Sequence, residues 1–173
     1  MADSLSLDER SEAYLAFRNN CQTLVLSTLD DQGLPFISYA PFVIRDGEMY
    51  VYISKIAEHY WHLKAAKKVN AMMLADENTS RNLFARERAR FLCDVEVIED
   101  ETDFEDVFEQ LNVRFKKSLL DLLRTLDFSL FRLSPAVGRY VVGFGLAFDT
   151  DLDATDFAEV QADKRKEEIS QMG

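Results

Sequence analysis

The chain has 173 residues, 47% of them hydrophobic, including thirteen Phe, six Tyr and one Trp. That is too much apolar surface for a disordered polymer, and the length suits one domain spanning 1–173. With 31 Asp and Glu against 20 Lys and Arg, the formal net charge is −11, a field that repels phosphate backbones and anionic lipid headgroups and so argues against nucleic-acid and membrane partners.

In chain order, residues 5–19 pattern as a short amphipathic helix, with Ser6 or Asp8 as its cap. Residues 23–29 are β-rich, and Asp30-Asp31-Gln32-Gly33 supplies turn residues that tolerate positive φ. Residues 35–44 extend again, Asp46-Gly47 is a strong hairpin dipeptide, and 48–54 return with Met49, Val51 and Ile53 alternating against Tyr50 and Tyr52. A helix over 57–67 and a short apolar strand over 69–75 follow. Residues 88–99 alternate with Phe91, Cys93, Val95 and Val97 on one face.

Residues 99–109 hold seven acids and no base. They open a helix over 103–115, with the acids where the macrodipole favours them. A second helix over 118–126, strands over 128–133 and 140–148, and an acidic helix over 153–169 complete the pattern. Six or seven strands, mostly joined by hairpins, predict a mainly-β (α+β) fold built on a closed or half-closed antiparallel barrel. In this reading residues 1–20 carry a helix, 20–148 form the barrel with helices inserted at 100–126, and 149–173 close the chain as an acidic helix.

No G-x-G-x-x-G, Walker loop or G-x-S-x-G motif is present. Cys21, Cys93, His59 and His62 are the only cysteines and histidines, without the clustering of a zinc site. With no leader-like start and no apolar run near ~18 residues, the expectation is a reduced, soluble, cytoplasmic protein.

The charge is uneven. Residues 149–173 carry eight acids and three bases, whereas 55–90 carry eight bases and four acids. This basic island suits a small anionic cofactor or substrate. Within it Ser54 and Lys55 end a strand just before a helix, where N-terminal amides hold anions. Ser54 is otherwise a plain cap and Lys55 a solvated charge. His59 and His62 are three apart on one helical face, placed either for a ligand or for packing. Arg86, Arg88 and Arg90 alternate along an apparent strand, so all three face one side and repel unless an anion, a carboxylate or solvent separates them. Ser38, Tyr39 and Pro41 line either a ligand edge or a strand end, since proline has no amide donor. Asp127 either orients a ligand or simply opens a strand.

Several segments carry a family resemblance: residues 23–29 with Gly33-x-Pro35, Ser38-Tyr39-Ala40-Pro41-Phe42, Ile53-Ser54-Lys55-Ile56-Ala57-Glu58-His59, Leu83-Phe84-Ala85-Arg86-Glu87-Arg88, Asp127-Phe128-Ser129-Leu130-Phe131-Arg132-Leu133, and Gly143-Phe144-Gly145. Together they resemble the FMN-binding split barrel of pyridoxamine 5′-phosphate oxidase, and within it the bacterial haem-utilisation proteins of HugZ/HutZ type. The resemblance implies a homodimer whose interface holds haem or FMN, with oxidative haem degradation or flavin oxidoreduction as the activity, or carriage without chemistry. As a haem protein it would anchor propionates on Arg86 and Arg88, use Asp127 as the polar partner, and take iron on His59 or, second, His62. As a flavoprotein it would hold phosphate on Ser54, Lys55 and His59, with Tyr39 or Tyr52 flanking the ring. Two segments depart from the pattern. Glu58 and His59 stand where oxidase-type members carry a cationic pair, and Asp163-Lys164-Arg165-Lys166 stands where haem-utilising relatives place a ligating histidine.

Overall fold

The computed structural model describes residues 5–160. Helix α1 (Leu7–Asn20) starts at Ser6, whose hydroxyl accepts from the Glu9 amide while the Glu9 carboxylate accepts from the Ser6 amide, a reciprocal capping box. Strands β1 (Thr23–Leu29) and β2 (Pro35–Arg45) are joined by a turn in which the Asp30 side chain accepts from the amides of Gln32 and Leu34. Asp46 and Gly47, both at positive φ, turn β2 into β3 (Glu48–Ser54). Then come α2 (Glu58–Ala65), β4 (Lys68–Leu74), β5 (Arg88–Ile98), α3 (Glu105–Phe115), α4 (Lys117–Leu123) and β6 (Phe128–Pro135).

Six strands close an antiparallel barrel in the order β1-β2-β3-β6-β5-β4, the last pairing back to β1. The two eleven-residue strands, β2 and β5, each serve two half-sheets. Residues Pro35 to Pro41 of β2 pair with β1, and Phe42 to Arg45 pair with β3. Likewise Arg88 to Asp94 of β5 pair with β4, and Cys93 to Ile98 pair with β6. Each long strand changes partner midway, so the barrel divides into two half-sheets that share it.

Alternation sends Leu24, Leu26, Phe42, Val51, Ile53, Phe91, Cys93 and Phe131 into the barrel, where each large apolar side chain contributes roughly 1.5–3 kcal/mol. Helix α2 plugs one end with Tyr60, whose ring lies 5.4 Å from that of Phe131, and with Leu63. At the other end α1 buries Tyr14, 5.1 Å from Tyr140. A second apolar cluster lies outside the barrel, where α3 and α4 cover Val43, Tyr50, Ile98 and Leu130 with Val107, Phe108, Leu111 and Leu120.

Two elements differ from the sequence reading. The strand expected over 140–148 is a hairpin of β7 (Gly138–Val142) and β8 (Leu146–Thr150), because Gly143 and Gly145 take positive φ and reverse the chain. Residues 153–160 do not start a helix. They turn into β9 (Phe157–Glu159), which pairs with β8 and stacks the Phe157 ring 4.9 Å from Phe148. The remainder of the expected acidic helix, 161–169, lies outside the described residues.

Candidate functional site

The α2 end of the barrel gathers several of the candidate residues. Ser54 ends β3 opposite Phe128, so Asp127 falls beside it. The Ser54 hydroxyl donates to Asp127 Oδ1 at 3.1 Å and accepts from the Ile56 amide at 3.3 Å, while the Lys55 amide donates to the Asp127 carbonyl at 2.9 Å. Helix α2 then opens at Glu58 without a side-chain cap. An anion approaching its amides meets the carboxylates of Glu58 and Asp127 with Lys55 as the nearby cation.

His59 is half-buried, and its pKa is pushed down by burial and then by neighbouring His62, which favours the neutral imidazole. The His62 ring meets Phe36 edge-on at 4.5 Å, and its Nδ1 is sealed from solvent without a hydrogen-bond partner. Among the described residues no group of three His, Cys, Asp or Glu side chains is arranged to hold a metal ion.

Ser38, Tyr39 and Pro41 do not share a face. The β pleat turns Ser38 inward, where its hydroxyl is buried without a partner, and turns Tyr39 and Pro41 outward, exposed. Pro41 lies where β2 leaves β1, just before its ladder with β3 begins at Phe42, a position that needs no amide donor. Tyr52 is half-buried against the cluster under α3 and α4. Its ring is wedged at 5.2 Å from both Phe108 and Phe128, and burial, then the Glu101 carboxylate, raises its pKa to about 12.

The three arginines also separate. Arg86 precedes the strand in a 3₁₀ turn, where its Nε donates to the Ala75 carbonyl at 2.7 Å and a guanidinium nitrogen lies 3.8 Å from Glu77. It is a structural tie between β4 and β5, because the Ala75 carbonyl needs a donor there. Arg88 and Arg90 do alternate along β5 and point outward, exposed. Arg88 donates to the Arg86 carbonyl at 3.0 Å, and among the described residues neither Arg88 nor Arg90 has a carboxylate at ion-pair distance.

Beside Arg88 a cleft of about 390 Å³ is walled by Phe84, Arg139, Val141, Phe144 and Ala147. Phe84 is 91% exposed and Phe144 is 73% exposed, the latter held out by the glycine-flanked hairpin of β7 and β8. Residue type alone marks neither phenylalanine, nor Arg139, as a site residue. The available signal was an aromatic between two glycines, Gly143-Phe144-Gly145, a placement that no core position requires. Arg88 aligns with Leu74 at the far end of β4, whereas α2 adjoins Lys68. Six residues of strand, roughly 20 Å, therefore separate Arg88 from the histidine end.

A family profile described as pyridoxamine 5′-phosphate oxidase matches residues 11–142. The chain is 38% identical over 152 residues to the haem oxygenase HutZ of Vibrio cholerae, covering 87% of this chain and 86% of HutZ. A crystal structure of HutZ, described as a haem storage protein, aligns with a TM-score of 0.70 at 37% identity, over 80% of this chain and 96% of that one. The crystal structure of Campylobacter jejuni ChuZ aligns with a TM-score of 0.78 at 26% identity, over 93% of this chain and 65% of that one.

Proposed function

The chain belongs to the pyridoxamine 5′-phosphate oxidase family, and from that membership we propose that it binds haem on the outer face of β5 and β7, in a site completed by a second copy of the chain. One observation carries the reading. Arg88, a cation without a carboxylate partner among the described residues, stands beside two exposed phenylalanines over an open cleft. That combination suits a flat apolar ligand with carboxylates at one edge, since desolvated rings bind its face and a guanidinium binds a propionate. The name of HutZ, a haem oxygenase also described as a haem storage protein, supports the same ligand.

Bound haem would supply iron and the oxidisable ring of an oxygenase. The chain's own share is to hold and shield it. Arg88 would take a propionate, while Phe84 and Phe144 would exclude water from the ring. Asp127, steadied by the Ser54 hydroxyl, would offer a carboxylate acceptor, and His59 a neutral nitrogen. Because Arg88 and His59 lie at opposite ends of one barrel, a single ligand meeting both draws them from two chains. The uncovered apolar residues Leu29 of β1, Ile37 and Tyr39 of β2 and Leu92 of β5 support that pairing, with Ile37 72% and Tyr39 67% exposed.

Flavin is the family's other ligand, and its phosphate fits this chain poorly. Glu58 and Asp127 place like charges at the α2 amides, and the Ser54 hydrogen is already given to Asp127. A cytoplasmic location belongs to the same proposal, supported by two free, buried cysteines; no described helix is long and apolar enough to cross a membrane.

Titration of the purified chain with haemin and, separately, with FMN tests the reading. A saturable Soret band with weak or absent flavin uptake is expected, and flavin uptake without haemin binding would overturn it. Reductant and oxygen added to the haem complex then separate an oxygenase, which bleaches the Soret band, from a storage protein, which returns haem intact.

A further inference from the structure

Next to the Arg88 cleft, and sharing Arg139 as a wall, is a second cavity of about 300 Å³ lined by Asn70, Arg90, Leu92, Val137, Arg139 and Asp149. Its charge is unbalanced for a structural reason. Arg90 on β5 and Arg139 on β7 are direct register partners, and like charges opposite one another across a ladder destabilise it. Arg139 is neutralised by its own partner on β8, donating from Nε to Asp149 Oδ1 at 3.0 Å. Arg90 is not: its partner on the β4 side is Met72, and among the described residues no carboxylate reaches it.

The close approach of β7 that creates this pair is enforced by Gly138. A Cβ there would lie 2.3 Å from the Phe91 ring and 2.5 Å from the Arg90 carbonyl oxygen. Only glycine admits the backbone, so the arginine pair is built into the packing rather than left by a loose side chain.

We infer that Arg90, backed by the Arg139–Asp149 pair and the Asn70 amide, forms an anion subsite for a carboxylate or phosphate group. Among the described residues one net positive charge remains there after Asp149 is counted against Arg139, and a bound anion removes the cross-strand repulsion. The group comes either from a carboxylate arm of haem lying in the adjoining cleft, which rests on the function proposed above, or from a free small anion, which does not.

The test uses the full chain and its Arg90→Gln variant. Haemin and haemin dimethyl ester are titrated at the Soret band, and inorganic phosphate by calorimetry at low ionic strength. If haem supplies the anion, the variant binds haemin at least ~10-fold more weakly while the ester binds both proteins alike. If a free anion is the ligand, phosphate heat is lost in the variant and haemin affinity is unchanged. Loss of phosphate heat in a chain that binds no haemin supports the subsite and refutes the haem reading.

Identical haemin and phosphate binding in both proteins overturns the inference. So does a lower melting temperature for Arg90→Gln, which would mark a structural role; relief of repulsion predicts a higher one. Arg90→Lys, which keeps the charge and loses the fork, is expected to bind between the two.

Discussion

The barrel has two outer faces built from the same long strands, and the chain treats them differently. On the half-sheet of β3 and β6, helices α3 and α4 bury Val43, Tyr50, Leu130 and Ile98 in a core of their own. The arginines there are matched: Arg45 with Asp106, Arg124 with Glu105, Arg132 with Glu96. On the half-sheet of β1, β4 and the first parts of β2 and β5, Ile37, Tyr39 and Leu92 stay exposed, and among the described residues Arg88 and Arg90 stay without a carboxylate partner. One face is finished by the chain itself. The other is finished, in our reading, by a second copy and an anionic ligand.

The largest expected effect is on the finished face. Phe108→Ala should cost ~3–5 kcal/mol, the range for emptying a buried aromatic site, and chemical denaturation would read it directly. A cost below ~1 kcal/mol would mean that α3 is not holding a core. On the bare face, Ile37→Asp with Tyr39→Asp should leave the monomer folded and halve the sedimenting mass from about twice 19.9 kDa. An unchanged mass would place the interface elsewhere.

A smaller contrast separates the arginines. Arg124→Ala should lose ~1 kcal/mol of stability, since Arg124 both pairs with Glu105 and lies 4.2 Å over the Phe108 ring. Arg88→Ala, which removes no ion pair, should stay within ~0.5 kcal/mol of the parent.

The smallest effect is a pH slope from the barrel's far end. Burial raises the pKa of Glu87, against the opposing hydrogen bond from Tyr140. An acid that is harder to ionise when folded favours the native state at low pH. Its contribution therefore declines as pH climbs from the ordinary carboxylate range to the raised value. Melting curves of Glu87→Gln against pH should lack that decline, and an identical slope in both proteins would assign it to another group.

Much of this architecture is legible in the chain because its signals are local. Alternation places β1 and β3, and Asp46-Gly47 places their hairpin partner, since each depends on neighbours in sequence. The failures have long-range causes. Arg86 reads as strand by alternation, but the carbonyl of Ala75 draws it into a turn. Tyr52 reads only as the far side of an alternating strand, but α3 arrives to pack on it. Acidic residues after Asp153 read as helix, yet Phe157 finds Phe148 and Tyr140 and joins the sheet. The Ser54–Asp127 contact spans 73 residues and depends on β3 pairing with β6; no local pattern announces it.

In our proposal haem is held on the bare face by Arg88 and not by the neighbouring Arg86. Haemin titration at the Soret band, with the parent chain, Arg88→Ala and Arg86→Ala measured side by side and corrected for folded fraction, tests it directly. Arg88→Ala should bind at least ~10-fold more weakly at an unchanged melting temperature, and Arg86→Ala should melt lower with unchanged affinity. Parent-like haemin affinity in Arg88→Ala would contradict it.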